Sequence, residues 1–230
     1  MKAIVLAGGL GTRLRGRVPD LPKPMAPVAG RPFLEYLLDS LIHSGIDSIT
    51  LSVGYRAEVI QVHFGDEYRG MPLIYSYEAE PLGTGGALAL AIQGIGTEPV
   101  LALNGDTLLK LDFKLLLNWY GEAPELLAMV LRQVPDAGRY GAAHVEHGRV
   151  TVFSEKGRSA GGLINSGIYL FQPSLFGKLG LSGRFSFEVD VLQNHCHTLH
   201  PRAFVTDSYF IDIGIPEELD RAGIELPHLV

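Results

Sequence analysis

The chain has 230 residues, 47% hydrophobic and 19% charged, with a formal net charge of −6 and one cysteine. That composition suits a globular α/β chain with a sizeable core and excludes a disordered one. The acidic balance speaks against a nucleic-acid partner, a single cysteine excludes an internal disulfide framework, and no apolar run approaches the ~20 residues that span a bilayer.

The first predicted element is KAIVLA (2–7), a short continuous apolar run that reads as a buried strand. It leads into Gly8, Gly9 and Gly11, and then to Arg13, Arg15, Arg17 and Lys23. The apolar run at 3–7 is too short for a secretory leader, so a soluble protein of the reducing cytoplasm, with no membrane association, is expected. Residues 33–44 place Leu34, Leu37, Leu38, Leu41 and Ile42 at helical spacing. Strands are expected at 48–54, 72–78 and 99–106, and helices at 56–64 and 85–93. Strands separated by helices imply a mainly parallel sheet covered on both faces.

The second half is richer in strands, at 126–134, 142–146, 149–155 and 163–171. A helix follows at 186–199, a last strand at 209–214 and a short helix from Pro216. Neither a linker nor a repeat is visible, so the expectation is one domain over 1–230, with antiparallel strands in its second half.

Glycines at the end of a first strand let backbone N–H groups approach a phosphate. Two common phosphate-binding loops can be tested against this one. The mononucleotide P-loop needs Lys-Ser or Lys-Thr after its last glycine, and Thr12-Arg13 stands there instead. The dinucleotide fingerprint needs Gly or Ala three residues past its second glycine, and that position is Leu14. A tight turn without a ligand is the alternative. Arg13 is a planar fork suited to phosphate oxygens. Lys23 sits between Pro22 and Pro24, which stiffens its backbone; otherwise it is a surface lysine in a Pro-rich turn.

Asp106 follows the apolar run VLALNG, and Asp212 follows YFI. Each carboxylate should emerge at the rim of the sheet, where open α/β sheets bind ligands. Either could instead cap a helix or a turn, and Asp207 competes with Asp212 if the strand register slips. In NHCHTLH (194–200) the spacing of Val189, Leu192, Cys196 and Leu199 puts the cysteine on an apolar helix face. His195 and His197 then point apart, which favours a core cysteine over a zinc site.

The pattern LAGGLGTRL…LPKPMAPV resembles the signature of sugar-1-phosphate nucleotidyltransferases. The resemblance continues through EPLGTGGA (80–87), LNGDTL (103–108), EK (155–156), NSGIYLF (165–171), FSFEVDVL (185–192) and FIDIGIPEEL (210–219). These blocks occur in family order over nearly the whole chain. Their spacing looks most like the branch that guanylylates heptose 1-phosphates. Mannose-1-phosphate guanylyltransferases and muramate-type uridylyltransferases come next. Two departures stand out. Arg15-Gly16-Arg17-Val18 replaces the Pro-Leu-Thr common after Arg-Leu, and no C-terminal hexapeptide-repeat block is present.

The resemblance implies a Rossmann-like three-layer α/β fold with a mixed, mainly parallel central sheet. Its nucleotide-binding half covers about 1–110 and its sugar-phosphate half about 111–230. It implies joining a sugar 1-phosphate to the α-phosphorus of a nucleoside triphosphate, GTP favoured, with loss of pyrophosphate. Mg²⁺ would be the cofactor, held by Asp106 and Asp212, and a homodimer is compatible with the family. Leu6, Ala7, Gly8, Gly9, Gly11, Thr12, Arg13, Glu78, Pro81, Gly83, Thr84 and Gly105 would line the nucleotide. Lys23, Gly141, Glu155, Lys156 and Asn165 would hold the sugar phosphate. Arg13, Lys23 and Asp106 would carry the catalysis, with Arg13 beside the β- and γ-phosphates and Lys23 near the α-phosphate. Glu78 ends a strand where relatives that bind pyrimidines often carry glutamine. A carboxylate accepts two adjacent N–H groups of guanine, whereas an amide suits uracil. A non-catalytic subunit would have lost one of Arg13, Lys23, Asp106 or Asp212, and the failed dinucleotide fingerprint weakens an oxidoreductase.

Overall fold

The computed structural model describes residues 1–9, 14, 16–18, 20–155 and 161–229. The expectations for Gly11, Thr12, Arg13 and Lys156 lie outside these residues. In chain order the first half carries β1 (Lys2–Leu6), β2 (Pro27–Val28), β3 (Arg31–Pro32), α1 (Phe33–Leu41), β4 (Ser48–Val53), α2 (Ala57–Phe64), β5 (Glu67–Tyr68), β6 (Met71–Tyr77), α3 (Gly83–Ala91), β7 (Val100–Asn104) and β8 (Thr107–Leu109). The second half carries α4 (Phe113–Glu122), β9 (Leu127–Val134), β10 (Ala142–Glu146), β11 (Arg149–Ser154), β12 (Gly162–Phe171), α5 (Leu175–Lys178), α6 (Asn194–Leu199), β13 (Arg202–Thr206), β14 (Phe210–Asp212) and α7 (Pro216–Glu225).

Ten strands form one mixed sheet in the order β10-β11-β13-β9-β12-β7-β1-β4-β6-β5. The expected parallel pairing is found in the first half, where β1 runs parallel to β4 and β7, and β4 to β6. All six residues of β4 are buried, as a parallel strand covered on both faces requires. Antiparallel pairing dominates the second half, where β12 runs against both β7 and β9. A parallel β9–β13 pair interrupts that pattern.

Side chains alternate between two cores across the sheet, following the twofold period of a strand. Ala3, Val5, Leu101 and Leu103 face α1, α2 and α4. Ile4, Val100 and Ala102 face α3, α5 and α6. This is a three-layer arrangement. A third core lies outside the sheet, where Val18, Ala26, Val28, Leu108, Ile211 and Ile213 pack beneath Ala222 of α7.

The helix expected over 186–199 differs in its first half. Phe187–Gln193 is wound as a π-helix before α6 begins. Side-chain hydrogen bonds hold the start of this turn. Phe187 N–H donates to Thr84 Oγ1 at 2.9 Å, and Ser186 N–H to Asp190 Oδ2 at 2.7 Å. Such turns are frequent near functional sites. Cys196 is buried in the second core, as its spacing predicts. Among the described residues no His, Cys, Asp or Glu cluster of three or more could hold a metal, and no helix is long and apolar enough to cross a membrane.

Candidate active site

β1 ends at Leu6, and the chain turns at the rim of the sheet through Ala7, Gly8 and Gly9. Ala7 N–H continues the ladder by donating to the Ser52 carbonyl at 2.7 Å. The neighbouring strand β7 is followed by Gly105, whose N–H donates to the Leu6 carbonyl at 2.9 Å. A Cβ on Gly105 would lie 2.5 Å from that same oxygen, so only glycine lets the two strand ends close. Asp106 follows at once and is thereby fixed beside the first turn.

Asp212 reaches the same point by another route. β8 pairs antiparallel with β14, with Thr107 opposite Asp212, and Ile213 N–H donates to the Asp106 carbonyl at 3.0 Å. A two-stranded clamp therefore sets the spacing of the two carboxylates. Asp207 lies in the loop before β14, so the register falls on Asp212.

Lys23 opens a single 3₁₀ turn, Lys23–Met25, in which Pro24 and Met25 are buried. Its Nζ lies 2.5 Å from Asp106 Oδ2 and 3.4 Å from Asp212 Oδ1. The lysine side chain is only 14% exposed. Burial raises the Asp212 carboxyl above the ordinary aspartate range, and the charge of Asp106 raises it further. Lys23 and the Gly214 N–H, which donates at 2.8 Å, oppose the shift. The site thus gathers two anions on one cation in a partly dehydrated rim.

A cavity of about 480 Å³ opens next to this cluster, lined among others by Leu6, Gly8, Gly9, Glu78, Pro81, Gly83 and Thr84. That volume is in the range of small-molecule sites. Seven of the expected nucleotide residues therefore face one space. Glu78 N–H is bonded to the Val53 carbonyl at 2.9 Å, and Glu78 Oε2 accepts from Leu82 N–H at 3.0 Å. A Cβ on Gly8 would sit 2.6 Å from Glu78 Oε1. Glycine at position 8 is what lets this carboxylate stand in the cavity. A smaller space of about 140 Å³ adjoins it and is lined by Leu6, Gly9, Lys23, Pro24, Thr84, Asn104 and Asp106. The buried Oδ1 of Asn104 has no hydrogen-bond partner among the described residues. It offers a free acceptor beside Asp106.

Gly141 just before β10, Glu155 just after β11 and Asn165 within β12 form a separate group. Asn165 N–H donates to the Gly141 carbonyl at 2.8 Å, and Ala142 pairs with Ser154 next to Glu155. A Cβ on Gly141 would lie 2.8 Å from the Phe153 ring. The Asn165 side chain is held at both ends: Nδ2 donates to Tyr169 Oη at 2.6 Å, and Oδ1 accepts from Gly167 N–H at 3.1 Å. β12 bulges between Asn165 and Ile168. Gly167, at φ +75°, presses against Asn104 there, so the bulge joins this group to the rim of β7. Glu155 is exposed.

Two participants are not singled out by the sequence, although Glu188 stands within the FSFEVDVL block. Tyr55 lines the large cavity. Glu188 accepts from Thr84 Oγ1 at 2.5 Å, across the opening between the two halves. Tyr55 falls in the turn between a strand and a helix, and nothing in the FSFEVDVL block marks Glu188 as the residue that meets Thr84.

A strand-end carboxylate pair on a three-layer mixed sheet, beside a cavity opened by glycines, is the architecture of a nucleotidyl transferase. The chain matches the nucleotidyl transferase family model over residues 2–226 and belongs to that family. It is 42% identical over 230 residues, the whole of both chains, to a D-glycero-α-D-manno-heptose 1-phosphate guanylyltransferase of Aneurinibacillus thermoaerophilus. It is 44% identical over 220 residues to one of Campylobacter jejuni, covering 95% of this chain and 96% of that one. The crystal structure of HddC from Yersinia pseudotuberculosis complexed with GMP-PN shares 38% identity at a TM-score of 0.85, over 97% of this chain and 98% of that one.

Proposed function

We propose that this chain transfers GMP from GTP to D-glycero-α-D-manno-heptose 1-phosphate and releases pyrophosphate. The observation that carries the transfer reaction is the Lys23–Asp106–Asp212 cluster, with Lys23 and Asp106 lining a small space that adjoins the glycine-opened cavity. The full-length similarity to two heptose 1-phosphate guanylyltransferases supports the choice of sugar and base.

A phosphate oxygen of the sugar 1-phosphate attacks the α-phosphorus, and the bond from that phosphorus to the pyrophosphate oxygen breaks. No proton transfer is required. Protein catalysis is then alignment of two anions and neutralisation of charge at the α-phosphate. Lys23 supplies a fixed cation where that charge develops. Backbone N–H groups that follow Ala7 and the Arg13 guanidinium would hold the triphosphate. Gly141, Glu155, Lys156 and Asn165 would hold the sugar and its phosphate, with Asn165 oriented by Tyr169 and Gly167.

Asp106 and Asp212 fit Mg²⁺, which takes one or two carboxylates and fills its remaining positions with phosphate oxygens and water. Burial first and then the charge of Asp106 raise the Asp212 carboxyl, and a divalent cation there would oppose both. When bound, Mg²⁺ would neutralise charge on the triphosphate.

The test is pyrophosphate release from GTP, UTP, ATP and CTP against heptose, mannose, glucose and N-acetylmuramate 1-phosphates. GTP with the heptose 1-phosphate should give the highest kcat/KM. Higher values with mannose 1-phosphate would remove the heptose assignment, and a preference for UTP would remove the guanylyl assignment.

A further inference from the structure

Two parts of the proposed site approach each other from distant stretches of chain. One is the turn after β9, residues 135–141, which ends at Gly141. The other is β14, which ends at Asp212. Glu218, in the first turn of α7, is tied to both.

Arg139 Nη1 donates to Glu218 Oε1 at 3.1 Å, across 79 residues of sequence. Arg221 Nη2 lies 2.8 Å from the buried Glu218 Oε2, an ion pair without hydrogen-bond geometry. Arg221 also donates to the Phe210 carbonyl at 3.2 Å, two residues before Asp212. The Arg139 guanidinium lies over the Tyr140 ring at 5.0 Å, and that ring meets Phe210 edge-on at 5.7 Å. Glu218 is 15% exposed, whereas each arginine is 42% exposed. A helix-surface pair such as Glu218–Arg221 alone would do little. The long-range partner is what distinguishes this carboxylate.

We propose that Glu218 is a positioning residue for sugar-phosphate binding, holding the Gly141 turn at a fixed distance from the strand that carries Asp212. The inference rests on the roles given above to Gly141 and Asp212. It follows from the sensitivity of aligned sites to small displacements. Among the described residues Glu218 pairs with Arg139 and Arg221, and it acts through these two arginines.

Glu218→Gln keeps the shape and removes the charge. It should lower kcat/KM for the heptose 1-phosphate about tenfold, mainly through KM, and leave KM for GTP within about twofold. Arg139→Gln should do the same, and the double variant should be no worse than either single one. Hydrogen exchange gives a readout free of turnover. The Tyr140 amide, bonded to the Ala137 carbonyl at 3.0 Å, should lose protection in Glu218→Gln while β12 keeps its own. If Arg139→Gln loses activity and Glu218→Gln does not, Arg139 meets substrate directly and the inference is overturned. Lowered thermal stability with unchanged KM and unchanged Tyr140 exchange would reduce Glu218 to a structural contact, also overturning it. Wild-type protein inactive with GTP and heptose 1-phosphate would instead count against the proposed function, and the exchange measurement would still decide the role of Glu218.

Discussion

Lys23 stands on two carboxylates, and the two contacts are unequal. Asp106 has the short contact at 2.5 Å, whereas Asp212 has the longer one at 3.4 Å and the raised pKa. The folded state therefore favours a proton on Asp212 more than the unfolded chain does. A carboxyl raised in this way costs stability above its folded pKa. The cost is relieved as pH falls through that value toward the unfolded 3.8. Asp212→Asn should thus melt higher than wild type at neutral pH, and the difference should shrink on acidification across that window. Its turnover should fall by a factor on the order of 10²–10³. Lys23→Ala should lose turnover as well but melt lower, because it leaves two facing anions without their cation. Melting curves between pH 4 and 8 decide this, and an Asp212→Asn variant that melts lower at pH 7 sinks the reading. The role proposed for Glu78 is a different choice, that of the base. One of its oxygens already accepts Leu82 N–H, which fixes the carboxylate plane and leaves further lone pairs toward the cavity. Guanine offers two adjacent N–H donors, whereas uracil sets carbonyls against the carboxylate. Glu78→Gln should narrow the GTP preference over UTP by about 1–3 kcal/mol, read as the ratio of kcat/KM values. An unchanged ratio would remove Glu78 from base selection while leaving the enzyme class intact.

At the scale of elements, α3 and the π-helical turn at 187–193 meet through glycine. Gly83 sits at φ +74°, and a Cβ there would lie 2.6 Å from the Phe185 carbonyl oxygen. Gly85 and Gly86 both donate N–H groups to that same oxygen. Gly83→Ala combines a left-handed backbone with a clash against main chain, so it should cost about 2–4 kcal/mol by denaturant unfolding. Because Thr84 follows directly and faces both cavities, KM for GTP should rise too; a variant as stable as wild type would contradict the packing described. The same junction marks the limit of what the sequence reveals. β1, β4 and β7 are readable because strands covered on both faces need continuous apolar runs. α4 escapes the reading: Phe113, Leu116 and Tyr120 are buried, but the exposed Leu115 blurs the helical period. β13 escapes because Val205 is half exposed and its neighbours are only partly covered. Asp106, Asp212 and Lys23 are legible from strand ends and a proline frame. The Thr84–Glu188 and Arg139–Glu218 contacts are not, since they join segments 104 and 79 residues apart and exist only once the sheet has formed.

For the whole molecule, the decisive feature is that one backbone ladder crosses the middle of the sheet. β12, from the second half, runs antiparallel to β7, from the first, over Ile168–Phe171 and Val100–Leu103. The two-stranded clamp of β8 and β14 crosses the same divide and carries the carboxylate pair. Each hydrophobic core also mixes residues from both halves, as with Ala3, Leu101 and Ile168 on one face and Ile4, Val100 and Tyr169 on the other. A half that unfolded alone would strip a ladder edge and open both cores. The protein should therefore unfold in one transition, with equal calorimetric and van 't Hoff enthalpies. On the proposed function GTP binds the folded chain only, so at a hundredfold excess over its Kd it should add about 2.7 kcal/mol. For a chain of this size that is a rise of roughly 5–10 °C in Tm, and the whole transition should move without splitting. UTP at the same concentration should move it less, if base selection works at the level of binding. Differential scanning calorimetry with each nucleotide makes the comparison. Two separate transitions, with GTP raising only the earlier or only the later, would show that the halves fold independently and that the nucleotide is held by one of them alone.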